Sequence, residues 1–216
     1  MRKKSWRRIT ARGGRAKAMK ADVSKQADIR RLFDSAVKEF GKVDVLVNNA
    51  GVYEFRPLAA VDENHFDRQF DVNVKGLYFA AQAAAQAFGD HGGSIVNISS
   101  VVSLSPRANG SVYSATKAAT ISMTKTAAVE LGLRGIRCNV VAPGPVRTPM
   151  LPPGHVLNAL AKNLSSLGRI ADVEDLVGVY HFLASDQSKY MTGHTLIVDG
   201  GRLAGFRTEV LRRLSD

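Results

Sequence analysis

The chain has 216 residues, 45% of them hydrophobic and 23% charged, which fits one domain with a sizeable core and excludes a disordered polyelectrolyte. No stretch approaches the roughly 18 uninterrupted apolar residues of a membrane span, and no apolar run follows the basic start as in a secretory signal. The net charge of +11 is concentrated, because residues 1–20 hold nine Lys or Arg and no acid, leaving a nearly balanced remainder and arguing against a nucleic-acid-binding body.

Taken in chain order, residues 1–14 read as a basic, irregular N-terminus. Such a tail is open to three readings: a solvated start (as from a misplaced initiation codon), a nonspecific nucleic-acid or lipid contact, or a transit peptide. From residue 15 onward short β-branched runs alternate with helical patterns, the mark of βαβ units and a parallel sheet. Strands are predicted at Arg15–Ala21, Val43–Asn48, Ser94–Ser99, Ile136–Ala142 and His194–Val198. Helices are predicted at Lys25–Phe40, Glu63–Phe88, Tyr113–Leu131 and Val173–Ala184. In the first helix Ile29, Leu32, Phe33, Ala36 and Val37 form one apolar stripe, with Asp22-Val23-Ser24 ahead of it and Gly41 ending it. Residues 149–168, with three prolines, read as a loop with a short helix, placed to close over a substrate. The lone Cys138 reads as a small buried strand residue, consistent with a reducing, cytoplasmic setting.

Each strand is followed by small or polar residues: Asp22-Val23, Asn48-Asn49-Ala50-Gly51, Ser99-Ser100, Pro143-Gly144 and Asp199-Gly200-Gly201. Ligands of open α/β sheets bind outside the carboxyl ends of the strands, so the five clusters together point to a site. Tyr113 and Lys117, four apart on one helix, project from the same face. A neighbouring ammonium should favour the phenolate and lower the phenol's usual value near 10. Ser100 ends a strand, where its hydroxyl can steady a carbonyl or alkoxide. Asn73 occupies a helix interior, which is unfavourable for asparagine and suggests a local polar role.

The ordered set Asp22-Val23, Asn48-Asn49-Ala50-Gly51, Asn73, Ser100, Tyr113-Ser114-Ala115-Thr116-Lys117, Pro143-Gly144 and Asp199-Gly200-Gly201 resembles the short-chain dehydrogenase/reductase family across roughly residues 10 to 201. The resemblance implies a Rossmann-like, doubly wound and mostly parallel α/β fold over 15–201, with 202–216 as a C-terminal extension. It implies a nicotinamide cofactor, NAD or NADP, and a small alcohol or carbonyl substrate, with neither a metal, a membrane nor a specific nucleic acid as partner. Tyr113 would be the general acid/base, Lys117 would lower its pKa and hold the nicotinamide ribose, Ser100 would orient the carbonyl, and Asn73 would hold a water. Asp22 and Val23 would meet adenine, Asn49-Ala50-Gly51 would line the adenosine ribose, and Pro143, Gly144, Val146 and Thr148 would bracket the nicotinamide. The family's interface helices correspond to 63–88 and 113–131, whose alanines (Ala80, Ala81, Ala83 to Ala85, Ala118, Ala119) are read as outward-facing, so a homodimer or homotetramer is implied.

The pattern departs from the family in one respect. A glycine-rich turn of the T-G-x-x-x-G-I-G type, which seats the pyrophosphate at a helix N-terminus, does not occur in these residues. Gly13-Gly14 matches instead the loop before the family's third strand, so the first strand, helix and second strand are expected to be missing. Val43–Asn48 would then be an exposed edge, Arg15–Ala21 would need a new partner, and the residues that separate NAD from NADP are not present. Two functions therefore stand side by side: an alcohol–ketone oxidoreductase, and a catalytically silent relative that acts only in assembly or binding. Gly89-Asp90-His91-Gly92, where acyl-carrier reductases of the family tend to be basic, argues mildly against an acyl-carrier substrate.

Overall fold

The computed structural model describes residues 5–149, 151 and 165–205. Helix α1 (Ser5–Thr10) and α2 (Gln26–Phe40) precede strand β1 (Val45–Asn48). Helix α3 (Glu63–Phe70) runs through a widened π turn, Asp71–Lys75, into α4 (Gly76–Ala87). Strand β2 (Gly93–Ile98), helix α5 (Ser111–Leu131), strand β3 (Ile136–Pro143), helix α6 (Glu174–Ala184) and strand β4 (Thr195–Val198) complete the described elements. The strands form one parallel sheet in the order β1-β2-β3-β4, the α/β architecture expected from the alternation of patterns.

The sheet is covered on both faces, and alternate residues of β2 show it. Ile95 faces a cluster with Ile29 and Phe33 of α2, Ala84 of α4, Phe88, and Ala128 of α5. Val96 faces the other way, with Val141 and with Leu183 of α6. Both side chains are fully buried, which is why β2 and β3 read as nearly continuous apolar runs. The edge β1 is thinner in cover: Val47, on the α6 side in register with Val96, is 45% exposed, an unprotected apolar edge as foreseen.

Helix α5 buries a narrow stripe of small residues, Ser114, Thr116, Thr120, Thr124 and Ala128. Thr120 and Thr124 donate their hydroxyls to the carbonyls four residues back, at 3.1 and 2.6 Å. These hydroxyls need no outside partner there, and α5 can lie close against β3. Thr124 also accepts from Asn97 Nδ2, whose Oδ1 accepts from Asn48 Nδ2. This polar ladder ties the middle of the sheet to the middle of α5.

Several expectations are corrected. Arg15–Ala21 is not a strand. It contains no β-branched residue to favour one, and it is tethered to the end of α2 instead. Arg15 donates to the Glu39 carbonyl at 2.7 Å and Lys17 pairs with the Glu39 carboxylate at 2.7 Å, satisfying a helix C-terminus with cations. The basic start is not wholly irregular, since it contains α1. The single helix read over 63–88 is two helices separated by the π turn. Ala80, Ala84 and Ala85 are core residues rather than outward-facing, Ala81 and Ala83 pack beside them, and only Ala118 of that set is exposed. Most of the loop 149–168 lies outside the described residues.

Candidate active site

A cavity of about 600 Å³ opens at the carboxyl ends of β1, β2 and β3. Asn49, Ala50 and Gly51 after β1, Ser99 and Ser100 after β2, Tyr113 and Lys117 from α5, and Pro143, Gly144, Val146 and Thr148 after β3 all line it. Residues far apart in sequence thus meet where open α/β sheets hold ligands.

Ser100 precedes a short turn at Val101–Ser103, where its hydroxyl accepts from Val102 N at 3.4 Å, and it lies near enough to the Tyr113 phenol to lower the phenol's pKa slightly. Lys117 is buried, donates to the Ile98 carbonyl at 2.8 Å, and sits with Nζ 5.8 Å from the centre of the Tyr113 ring. Asn73 is in the π turn rather than in a regular helix. Its side chain accepts from Val52 N at 2.8 Å and donates to Val52 O at 2.9 Å and to Thr116 Oγ1 at 3.2 Å. Asn73 therefore stands behind the cavity wall and pins the chain after β1 to α5. Gly51 lies over this junction: a Cβ there would sit 3.3 Å from Asn73 Oδ1 and 3.8 Å from Lys117 Nζ, so a side chain at this position would press on Asn73.

The electrostatics differ from the sequence expectation. Burial, with some contribution from the neighbouring Tyr53, pushes the Tyr113 phenol up to about 12, against a smaller lowering by the Ser100 hydrogen bond. Burial also brings Lys117 down to about 8. Burial is the main cause of both shifts, and Lys117 is not among the groups that lower the phenol. The closeness was foreseen from the spacing; the depressed phenol was not found.

Asp22 and Val23 do not line the cavity. The Asp22 carboxylate accepts from Ser24 N at 3.0 Å and Ser24 Oγ at 2.7 Å, which holds its pKa low. The Val23 carbonyl packs against Gly76, where an added Cβ would approach within 2.7 Å. Asp199 is also used locally, accepting from Gly201 N and Leu203 N at 2.8 Å each. Cys138 is buried in β3, its thiol raised to about 12 by burial, as the bland reading of this residue had it.

Among the lining residues that escaped the sequence reading are Tyr53, Phe55, Arg107 and Arg202. Tyr53 and Phe55 meet each other edge-on at 4.6 Å and the Tyr113 ring at 5.3 and 5.9 Å. Their one sequence signal was position, two and four residues after Asn-Asn-Ala-Gly. Arg202 likewise directly follows Asp-Gly-Gly. Among the described residues there is no cluster of His, Cys, Asp and Glu able to hold a metal, and no helix long and apolar enough to cross a membrane.

This parallel sheet with a tyrosine–lysine pair at its carboxyl edge belongs to a known class. Residues 1–202 match the family model described as enoyl-(acyl carrier protein) reductase, and the chain is a member of the short-chain dehydrogenase/reductase family. It is 45% identical over 197 residues to an uncharacterized oxidoreductase of Methylorubrum extorquens, covering 89% of this chain and 79% of that one. It is 40% identical over 198 residues to an L-rhamnose 1-dehydrogenase (NAD(P)(+)) of a Sphingomonas strain, covering 89% and 78%. Among solved structures, a blue fluorescent protein from a metagenomic library in complex with NADPH superposes with a TM-score of 0.86 at 39% identity, covering 91% of this chain and 80% of that one.

Proposed function

We propose that the protein interconverts an alcohol and a ketone or aldehyde with NAD or NADP as hydride carrier, using Ser100, Tyr113, Lys117 and Asn73. The observation that carries this reading is the meeting of Ser100, Tyr113 and Lys117 on one wall of the cavity. A relative with NAD(P)(+) in its name and a structural neighbour holding NADPH support the choice of cofactor. When bound, the nicotinamide supplies or accepts the hydride.

The residues present suit the nicotinamide end of such a cofactor. Gly51 leaves room over Lys117, and Pro143, Gly144, Val146 and Thr148 wall the opposite side. Tyr113 would donate its proton to the nascent alkoxide while Ser100 steadies the oxygen. With a phenol near 12 the proton is in place throughout the neutral range, which favours reduction over oxidation there. Lys117 would hold the ribose, and Asn73 acts through Val52 and Thr116 as a positioning residue. Asp22 and Val23, assigned to adenine by resemblance, stand off the cavity lining, and these 216 residues offer no glycine-rich turn for the pyrophosphate.

We propose that these 216 residues by themselves bind the cofactor weakly. Titration of NADH and NADPH fluorescence is expected to give dissociation constants above the submillimolar range, and tight binding of either would show that the missing turn is dispensable. Carbonyl-dependent oxidation of NAD(P)H at millimolar cofactor tests the function itself. Folded protein that turns over no carbonyl under those conditions would favour the second reading, a silent relative, for which the missing turn is the specific argument. The family's homodimer or homotetramer is proposed here as well. It would use exposed residues of α4 and α5 such as Tyr78, Ala118 and Val129 rather than the buried alanines, and light scattering showing monomer alone would remove it.

A further inference from the structure

The charged residues that line the cavity are all basic: Arg107, Lys117 and Arg202. Elsewhere in the folded body several guanidinium groups face carboxylates, Arg56 with Glu54 and Asp62, Arg147 with Asp172, and Arg169 with Asp175, while Arg134 and Arg137 donate to backbone carbonyls. Arg107 and Arg202 have no such partner among the described residues. The acids nearest to the cavity in sequence are already engaged. Glu54 is turned to Arg56 and Arg68, and both oxygens of Asp199 accept backbone N–H groups.

Arg107 is held without being neutralised. Its guanidinium lies over the Phe55 ring at 4.4 Å, and stacking occupies its face while leaving the N–H donors around its edge for another ligand. Beside it Tyr53, Phe55 and Tyr113 form an edge-to-face aromatic group. The cavity thus combines a flat apolar wall with two guanidiniums that meet no carboxylate among the described residues, and guanidinium is the group best matched to a planar carboxylate.

We propose that the substrate is a carbonyl or hydroxy compound with a flat apolar body and a carboxylate, gripped by Arg107 and Arg202 while Tyr113 faces the reacting oxygen. The word substrate rests on the oxidoreductase reading; the binding preference does not, and the test separates them. Calorimetric or ligand-observed NMR titration of the protein without cofactor, using 4-acetylbenzoate and the neutral isostere 4-acetylbenzamide, is expected to show the carboxylate binding about tenfold tighter or more. Arg107→Met and Arg202→Met should each narrow that ratio and the double variant should bring it near unity, with the thermal transition confirming folding. Gln variants at the same positions replace any Met variant that fails to fold.

Equal binding of the two probes, binding of neither at millimolar concentration, or a ratio retained in the double variant would overturn the proposal. So would a double variant that loses NADPH affinity and keeps the carboxylate preference, since the arginines would then serve the cofactor's phosphates. Turnover with NAD(P)H is measured separately. A carboxylate preference without turnover of either probe sinks the reductase reading and leaves this one, whereas equal turnover of acid and amide does the reverse.

Discussion

Tyr113→Phe is expected to lower kcat for carbonyl reduction by roughly 10²–10⁴-fold, the span over which a positioned general acid contributes, with KM nearly unchanged. The substitution removes one hydroxyl, whose neighbour is Ser100, and it leaves the ring packing with Tyr53 and Phe55 in place. Stability should therefore change little, and a steady-state comparison beside a urea melt separates chemistry from folding. A variant that keeps wild-type kcat would show that the proton comes from elsewhere, and the assignment of Ser100 as its partner at the reacting oxygen would fall with it.

Lys117→Met is expected to do two opposite things: abolish measurable turnover and stabilise the fold at neutral pH. The sign follows from the titration. In the unfolded chain the lysine ionises near 10.5 and in the native state near 8, because burial disfavours the charge. Between those values the unfolded chain holds more protons, so native stability rises with pH across the window; below about 8 the full cost of burying the ammonium is present. Removing the charge should yield about 2 kcal/mol at pH 7, after allowing for the lost hydrogen bond to the Ile98 carbonyl. The gain should shrink to less than half by pH 10. Urea melts at the two values check both the sign and the window, and a variant destabilised at pH 7 would refute the account of Lys117 as a buried, costly cation.

Much of this was legible before any coordinates. The stripe of Ile29 and Phe33 located α2 because a core-facing helix must repeat its apolar positions, and β-branched runs located β2 and β3 because both faces are buried. Three of the five strand-end clusters, Asn48–Gly51, Ser99-Ser100 and Pro143-Gly144, were readable because the parallel sheet brings its carboxyl edges together. Asp22-Val23 follows no strand, and neither it nor Asp199-Gly200-Gly201 lines the cavity. Other features had no local signal. Apolar periodicity cannot reveal one extra residue inside a helix, so the π turn around Asn73 was read as regular helix. Alanine is compatible with core and surface alike, so Ala80, Ala84 and Ala85 were placed on the wrong side. Arg107 and Arg202 reach the cavity from loops at long sequence separation, which no spacing rule anticipates. The Tyr113–Lys117 spacing gave proximity correctly, but the balance of burial against charge depends on how much water the packed walls exclude, and this was invisible in sequence.

The widened turn at Asp71–Lys75 has a bearing on how this protein can vary. Each residue advances an α-helix by about 100°, so the extra one rotates everything downstream relative to what precedes it. The faces of α3 and α4 are brought onto the same body only because of that offset. Deleting a single amino acid there would restore an ordinary helix while swinging Leu77, Ala80 and Ala84 away from the positions they now fill. Changes of chain length at this spot are therefore a separate hazard from changes of side chain, and lineages of this chain should tolerate many substitutions along α4 before they tolerate one lost residue ahead of it.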